Sequence, residues 1–365
     1  VRFLIPKAKL RTALDTVSAC VARTNTLPIL DYVLIEPIQD ALRISGSNLE
    51  TTPTVDIQLE GIEQAPSWTA PAHKLKAIAT AAPDQEIACS VGENSLTLTS
   101  GSSRWRLPTL SADLWPERKN YSGLQEISVG AETLRRMIAA TLPSAAKNDV
   151  RYYLNGINFE SEGGELTACS TDGHRLHAAK ADVGYPDGIN LIIPRQAAQI
   201  IESALPVDGD VVFTYGHGIA RVSFPGVSID TKLIDGRFPD WRRTIPASEA
   251  ACRVDGKMLT KAIDRVALTA NQNHAIRLDF NPDHIVVAAS SADGGESSDR
   301  VDAEYDGNAI VIGVNSIYMV AALAAIGGVV SIGITDAQTS LLIGPGDPPD
   351  DGSVDVFAVV MPLRL

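Results

Sequence analysis

The chain repeats itself. Residues 3–17 (FLIPKAKLRTALDTV) read as a short apolar strand running into a basic helix, with Pro6 taken as the first helical residue, where a missing N–H costs nothing. The pattern returns at 129–138 (VGAETLRRMI) and 254–263 (VDGKMLTKAI). Ile5, Val129 and Val254 each precede a leucine, Leu10, Leu134 and Leu259, by five positions, and they stand 124 and 125 residues apart. A second helix recurs in step after Ala70-Pro71, Ile193-Pro194 and Gly313-Val314, at offsets of 123 and 120. Two matched series of nearly one period imply three copies of one domain. A chain of 365 residues also exceeds what a single core supports. The expected domains are 1–122, 123–247 and 248–365.

Charge becomes informative once the repeat is recognised. The chain carries −13, which by itself argues against a polyanionic partner. The six expected helices (7–20, 72–82, 131–144, 194–204, 257–269 and 315–326) hold eleven basic and four acidic residues, so the helices carry +7 and the remainder is strongly acidic. Lys7, Lys9, Arg11, Lys74, Lys76, Arg135, Arg136, Arg195, Lys257, Lys261 and Arg265 supply the positive charge. Segregation by element type points to a basic helical surface facing a polyanion. The sixth helix departs from this and carries no charge.

No apolar run approaches the ~18 residues a membrane helix needs. Val1 enters a strand directly, so no export leader is expected. Cys20, Cys89, Cys169 and Cys252 are far apart in apolar contexts and form no CxxC. They read as reduced core residues of a cytoplasmic protein.

Between the helices, 32–35, 41–44 and 55–59 read as strands, with Pro37 in the turn between the first two. Strands at 86–91, 95–100 and 103–107 continue a meander. Each domain is therefore α+β, two helices against antiparallel sheet. Arg23 lies in a polar loop beyond the first helix. In the second domain, Lys147, Asn148, Tyr152 and Tyr153 interleave basic, amide and aromatic groups suited to phosphate and sugar contacts. Asp172-Gly173 between apolar runs signals a hairpin. The stretch 344–352 (GPGDPPDDG) reads as a mobile loop, and the chain closes on an unusually apolar tail.

TLPIL at 26–30, RYYLNG at 151–156, STDGHRL at 170–176, DGRFPDWRR at 235–243 and VVMPLRL at 359–365 together resemble the signature segments of the bacterial sliding clamp family, the DNA polymerase III beta subunits. They stand in the family's order and spacing over the whole chain. The resemblance implies a head-to-tail homodimer closing into a ring around double-stranded DNA, with helices inward and sheets outward. It assigns DNA contact to Arg23, Lys147, Asn148, Tyr152, Tyr153 and the helix cations. It places Trp105, Leu268 and Thr269 at the subunit joint, Thr269 where an apolar residue is expected. It implies a cleft between domains two and three formed by Leu154, Thr171, Gly173, His174, Arg175, Leu176, Pro239, Arg243, Thr244, Asn315, Tyr318, Val359, Val360, Met361, Pro362, Leu363 and Arg364. Such a groove suits short extended peptides, here those of the polymerase III alpha subunit, the clamp loader delta subunit, other DNA polymerases and repair proteins.

Enzymatic readings find little support. His174 and His177, three apart on a strand, point to opposite faces and lack a third ligand. Asp235 and Asp240 flank an aromatic-Pro turn, where Asp is commonplace. The segment 344–352 lacks the lysine and following helix of a phosphate loop. No nucleophile has a recognisable setting. No catalytic residue, metal or cofactor is expected. A scaffold that binds only proteins is disfavoured by the basic helices.

Overall fold

Five of the six residues that defined the repeat period are at most 2–3% exposed and the sixth, Leu259, is fully buried, so the sequence pattern is the pattern of the cores. The computed structural model describes the chain except residues 1, 60, 61, 63, 64, 118–121, 183, 185, 292, 293, 348–352 and 365. The first repeat contains β1 (Arg2–Pro6), α1 (Lys7–Val17), β2 (Tyr32–Ile38), β3 (Ala41–Ser45), β4 (Thr51–Gln58), β5 (Trp68–Pro71), α2 (Ala72–Ala81), β6 (Glu86–Val91), β7 (Ser95–Ser100) and β8 (Ser103–Pro108). The second contains β9 (Gln125–Gly130), α3 (Ala131–Thr141), β10 (Gly156–Glu162), β11 (Glu165–Thr171), β12 (Arg175–Asp182), β13 (Asn190–Pro194), α4 (Arg195–Ala204), β14 (Asp210–Gly216), β15 (Ile219–Phe224) and β16 (Val227–Lys232). The third contains β17 (Ala250–Asp255), α5 (Gly256–Val266), β18 (Ala275–Asn281), β19 (His284–Ser290), β20 (Glu296–Tyr305), β21 (Ile310–Asn315), α6 (Ser316–Ile326), β22 (Val329–Ile334), β23 (Leu341–Pro345) and β24 (Asp355–Val360). Among the described residues, the order of strands and helices is the same three times over.

The chain packs as two compact units, Val1–Glu132 with Gln196–Leu233, and Thr133–Arg195 with Ile234–Leu365. The first holds the sheet β1-β6-β7-β8 and the sheet β5-β2-β3-β4-β16-β15-β14-β9. The second holds the sheet β13-β10-β11-β12-β24-β23-β22-β17-β20-β19-β18-β21. The middle repeat is thus shared between the units. Its strands join the first repeat at β4–β16 and the third at β12–β24, both antiparallel.

Helices form where apolar residues recur at i, i+3, i+4 and i+7; α1 buries Leu10, Ala13, Leu14 and Val17. Side chains cap two of them: Asp255 accepts from Met258 N–H at the start of α5, and Asn315 accepts from Ile317 and Tyr318 N–H at the start of α6.

Three expectations need correction. Pro6 does not begin α1; it is the extended residue before it. The helices expected to reach residues 20, 144 and 269 end at Val17, Thr141 and Val266, the last two passing into 3₁₀ turns over Leu142–Ser144 and Ala267–Thr269. Pro37 lies inside β2 opposite Leu42. It is tolerated there because the ladder to β5 stops at Ile35, leaving no partner on that side to want its N–H. Most of the loop expected to be mobile, 348–352, falls outside the described residues. All four cysteines are free and buried. Burial pushes the thiols of Cys20, Cys89 and Cys252 up to about 12, which leaves them inert at neutral pH.

Candidate peptide groove and nucleic-acid face

The residues expected to form the groove are all in the second unit. The β11–β12 turn lies among them. The turn is tied at several points. Thr171 Oγ1 donates to Arg175 O at 2.6 Å and accepts from Gly173 N–H at 3.0 Å. Asp172 accepts from the N–H groups of His174 and Arg175 and from Arg175 Nε. Gly173 has φ +89, the left-handed region that suits glycine. Arg175 also donates to Pro143 O at 2.6 Å and lies 4.4 Å over the Tyr318 ring, and His174 stacks on that ring at 6.4 Å.

The terminal strand borders the turn. Leu176 pairs with Val359 and Arg175 with Val360. Met361 N–H then donates to His174 O at 3.0 Å, and Leu363 N–H to Gly313 O at 2.7 Å. The tail is thereby strung from the β11–β12 turn to β21, which leaves Met361 46% exposed. Behind it, Leu154, Leu176, Val359, Phe238 and Trp241 form one buried cluster, with Trp241 Nε1 donating to Glu160 at 2.9 Å.

This geometry sorts the expected groove residues. Leu154, Leu176, Val359 and Val360 are at most 3% exposed, so they belong to the core beneath the expected groove and cannot line it. His174, Pro239, Thr244, Met361 and Arg364 are exposed, with Gly173 at the turn's tip. Arg243 is exposed and paired with Asp240 at 2.8 Å. Pro362, Leu363, Tyr318, Thr171 and Asn315 are half-buried. Sequence reasoning missed Phe238, Trp241 and Glu160. The spacing of the two aromatics in 235–243 could have flagged the first two, but Glu160 acquires its role only through tertiary contact.

The equivalent positions at the β4–β16 joint differ in chemistry. Matching the strands by their register places Thr52 and Asp230 where Leu176 and Val359 stand. Thr52 Oγ1 meets Ser47 Oγ there at 2.9 Å, and Asp230 pairs with Arg221. That floor is polar and already satisfied, so it offers apolar side chains nothing.

The expected nucleic-acid residues divide as well. Arg23, Lys74, Lys147, Lys257 and Lys261 are exposed and, among the described residues, have no ion-pair partner. Asn148 is exposed with φ +57, and Tyr152 is 56% exposed with Tyr153 packed edge-on at 5.8 Å. Lys76 pairs with Asp15 at 2.8 Å and Arg265 with Asp299 at 2.6 Å; Arg135 is half-buried. Arg136 and Arg195 are occupied differently. Arg136 donates to Ile326 O at the end of α6, and Arg195 to Leu142 O and Ala145 O beyond α3, its charged form disfavoured by burial. Arg136 thus caps the C-terminus of α6, and Arg195 ties down the 3₁₀ turn that follows α3. His177, expected on the face opposite His174, is fully buried and bonds Ala140 O through Nδ1 at 2.8 Å.

Trp105 is half-buried on β8; Leu268 is 86% exposed, and Thr269 Oγ1 meets Ser297 Oγ at 2.5 Å.

Three family models match in series: the N-terminal domain of the DNA polymerase III beta subunit over residues 1–119, its central domain over 128–240 and its C-terminal domain over 242–364. The chain belongs to the DNA polymerase III beta subunit family. It is 32% identical over 370 residues to the beta sliding clamp of Pseudomonas aeruginosa, covering 100% of each, and 31% identical over 376 residues to that of Escherichia coli K12, again covering 100% of each. Its fold matches the crystal structure of the Pseudomonas aeruginosa DnaN sliding clamp bound to griselimycin with TM-score 0.91 and 32% identity, covering 100% of this chain and 99% of that one. The fold extends to the Bacillus subtilis polymerase sliding clamp, TM-score 0.90 at 24% identity over 100% of this chain and 99% of that one. The expected three-domain α+β clamp fold is therefore the observed one. No helix among the described residues is long and apolar enough to cross a membrane.

Proposed function

We propose that this chain is the processivity clamp of chromosomal replication: a homodimeric ring that encircles duplex DNA and tethers polymerase III to it. Its domains would be 1–122, 123–247 and 248–365. The observation that carries this reading is the pair of edges left over by the repeat. Joints form at β4–β16 and β12–β24, while among the described residues β8 has no partner on its outer edge and neither does the first half of β20. Continuing the series pairs β20 with β8 of a second copy, a heterologous contact that closes into a ring when made twice.

The register transfers too. Ser228 opposes Thr54 and Phe357 opposes Ala178; the equivalents in the third joint are Arg104 of one copy opposite Ser298 of the other. It follows that Trp105 faces Ser297, beside Thr269 and Leu268, and that Arg106 faces Glu296. Arg104, Arg106 and Glu296 are exposed and have no ion-pair partner among the described residues of this chain.

The exposed cations Arg23, Lys74, Lys147, Lys257 and Lys261 would hold DNA loosely. Encirclement supplies retention, so few phosphate contacts are needed and sliding is not impeded. The groove at Met361 would take extended peptides from the polymerase alpha subunit, the loader delta subunit and repair proteins in turn, Met361 repacking for each. The chain itself would be a non-catalytic accessory subunit. Two measurements test this. The mass in solution should be twice the 38.8 kDa of one chain, and a monomer would contradict the ring. Deleting Met361–Leu365 should abolish binding of a polymerase-derived peptide while leaving the dimer intact; unchanged affinity would refute the groove.

A further inference from the structure

We infer that Arg151 is a positioning residue that couples the loop 147–153 to the peptide-gripping turn 171–175, so that polyanion at the loop slackens the turn. This rests on the groove and nucleic-acid assignments proposed above. Arg151 belongs to the loop and reaches across to the turn, bonding both. Its Nε and Nη2 donate to the Asp149 carboxylate at 3.0 and 2.8 Å, and Nη2 also donates to Asp172 O, the backbone of the turn, at 3.1 Å. Asp149 is in turn fixed to the base of its own loop: Asn155 accepts from its N–H at 2.8 Å and donates to its carbonyl at 3.0 Å. The Arg151 hydrogen bonds hold the Asp149 carboxyl down to about 2, so the carboxylate stays charged at all working pH values. The guanidinium packs so closely on Gly173 that a Cβ there would lie 3.0 Å from it.

The turn does not need this tie in order to form, because the first repeat builds the same turn without it. Asn48 Oδ1 accepts from Glu50 and Thr51 N–H as Asp172 does from His174 and Arg175. Ser47 Oγ accepts from Leu49 N–H as Thr171 does from Gly173. At the positions of Asp149 and Asn155 the first repeat has Asn25 and Asp31, joined side chain to side chain at 2.7 Å. At the position of Arg151, however, the first repeat has Leu27, and at that of Gly173 it has Leu49, which holds φ +72 despite its side chain. Of the first two repeats, the second alone has both the arginine and the glycine that admits it, and it is the one with the proposed apolar groove. A merely structural brace would be wanted in both turns.

Arg151 is also available to DNA. Its side chain is 47% exposed, and Nη1 has no hydrogen-bond partner among the described residues. Lys147, Asn148 and Tyr152 share its loop and are exposed. A phosphate reaching them competes with Asp172 O for the same guanidinium, because phosphate takes arginine in bidentate fashion. Loss of the Asp172 bond leaves the turn that holds Met361 through His174 O with its internal bonds alone, as in the first repeat, and no longer anchored to the loop.

The test is fluorescence anisotropy of a labelled decapeptide carrying Leu and Phe anchors, on the full-length dimer, with and without a saturating 30-base-pair duplex. Wild type should bind the peptide at least threefold more weakly with duplex present. Arg151→Ala should bind it about five- to tenfold more weakly than wild type without duplex and show no duplex dependence, with its melting temperature close to wild type. Arg151→Lys should keep the electrostatic contact to DNA yet, lacking the fork, also lose the duplex dependence. A wild-type affinity indifferent to duplex, or an Arg151→Ala protein that keeps the dependence, overturns the coupling. The groove assignment fails separately, if removal of Met361–Leu365 leaves peptide binding unchanged.

Discussion

Reversing one charge at the subunit joint gives the sharpest check on the ring. In the transferred register Arg106 of one copy lies opposite Glu296 of the other, on the same face of an antiparallel pair. A directly opposed opposite-charge pair contributes roughly 0.2–1 kcal/mol, and a like-charge pair costs a similar amount. Arg106→Glu therefore moves each joint by about 0.5–2 kcal/mol. The closed dimer has two joints, so the dimerisation free energy changes by about 1–4 kcal/mol, or roughly fivefold to a thousandfold in Kd at ~1.4 kcal/mol per tenfold. Glu296→Arg should weaken the dimer by the same amount, and the double variant should return it to near the wild-type value. Sedimentation over a dilution series at low and moderate salt measures this, the single-variant penalties shrinking as salt rises. If either reversal leaves the dimer unchanged, or the double variant fails to restore it, the register is wrong.

Two further outcomes follow from groups behind the proposed groove. Burial lowers the pKa of His177 to about 4 against an ordinary 6.5. The unfolded chain then binds the extra proton between those values, so stability is full above pH 6.5 and falls as pH drops through 4, by about 3 kcal/mol at ~1.4 kcal/mol per unit. Denaturant unfolding across pH 7 to 4 should show this fall, and His177→Gln should flatten it; an unflattened curve would place the cause elsewhere. Trp241→Ala empties a 2%-exposed site and frees Glu160 from its indole donor. It should cost about 3–5 kcal/mol in stability and weaken peptide binding, whereas Trp241→Phe should retain most of the packing; equal losses in the two would refute the packing argument.

The sequence made the repeat, the six helices and nearly every strand of the first domain legible, because all of these depend on local periodicity. Ile5, Val129 and Val254 reported the cores directly. What it did not convey depends on which groups meet across the chain. Arg136 and Arg195 read as free helix cations, yet their guanidiniums hold the end of α6 and the 3₁₀ turn after α3, and only tertiary placement sets that. Val359 and Val360 belong to the apolar tail that suggested a groove, but strand pairing turns them inward. Pro37 read as turn because prolines punctuate strands, and the early end of its neighbour β5 is invisible to local spacing. Arg151 lay in view within RYYLNG, but its bond to Asp172 O joins segments 21 residues apart.

The most direct test of the account is retention on DNA without tight binding. Loaded by a clamp loader and ATP onto a nicked circular duplex, the protein should co-elute with the circle through gel filtration at moderate salt and should run off once a single-site nuclease linearises it. Retention on the linear product with free ends, or failure to remain on the intact circle, would contradict encirclement.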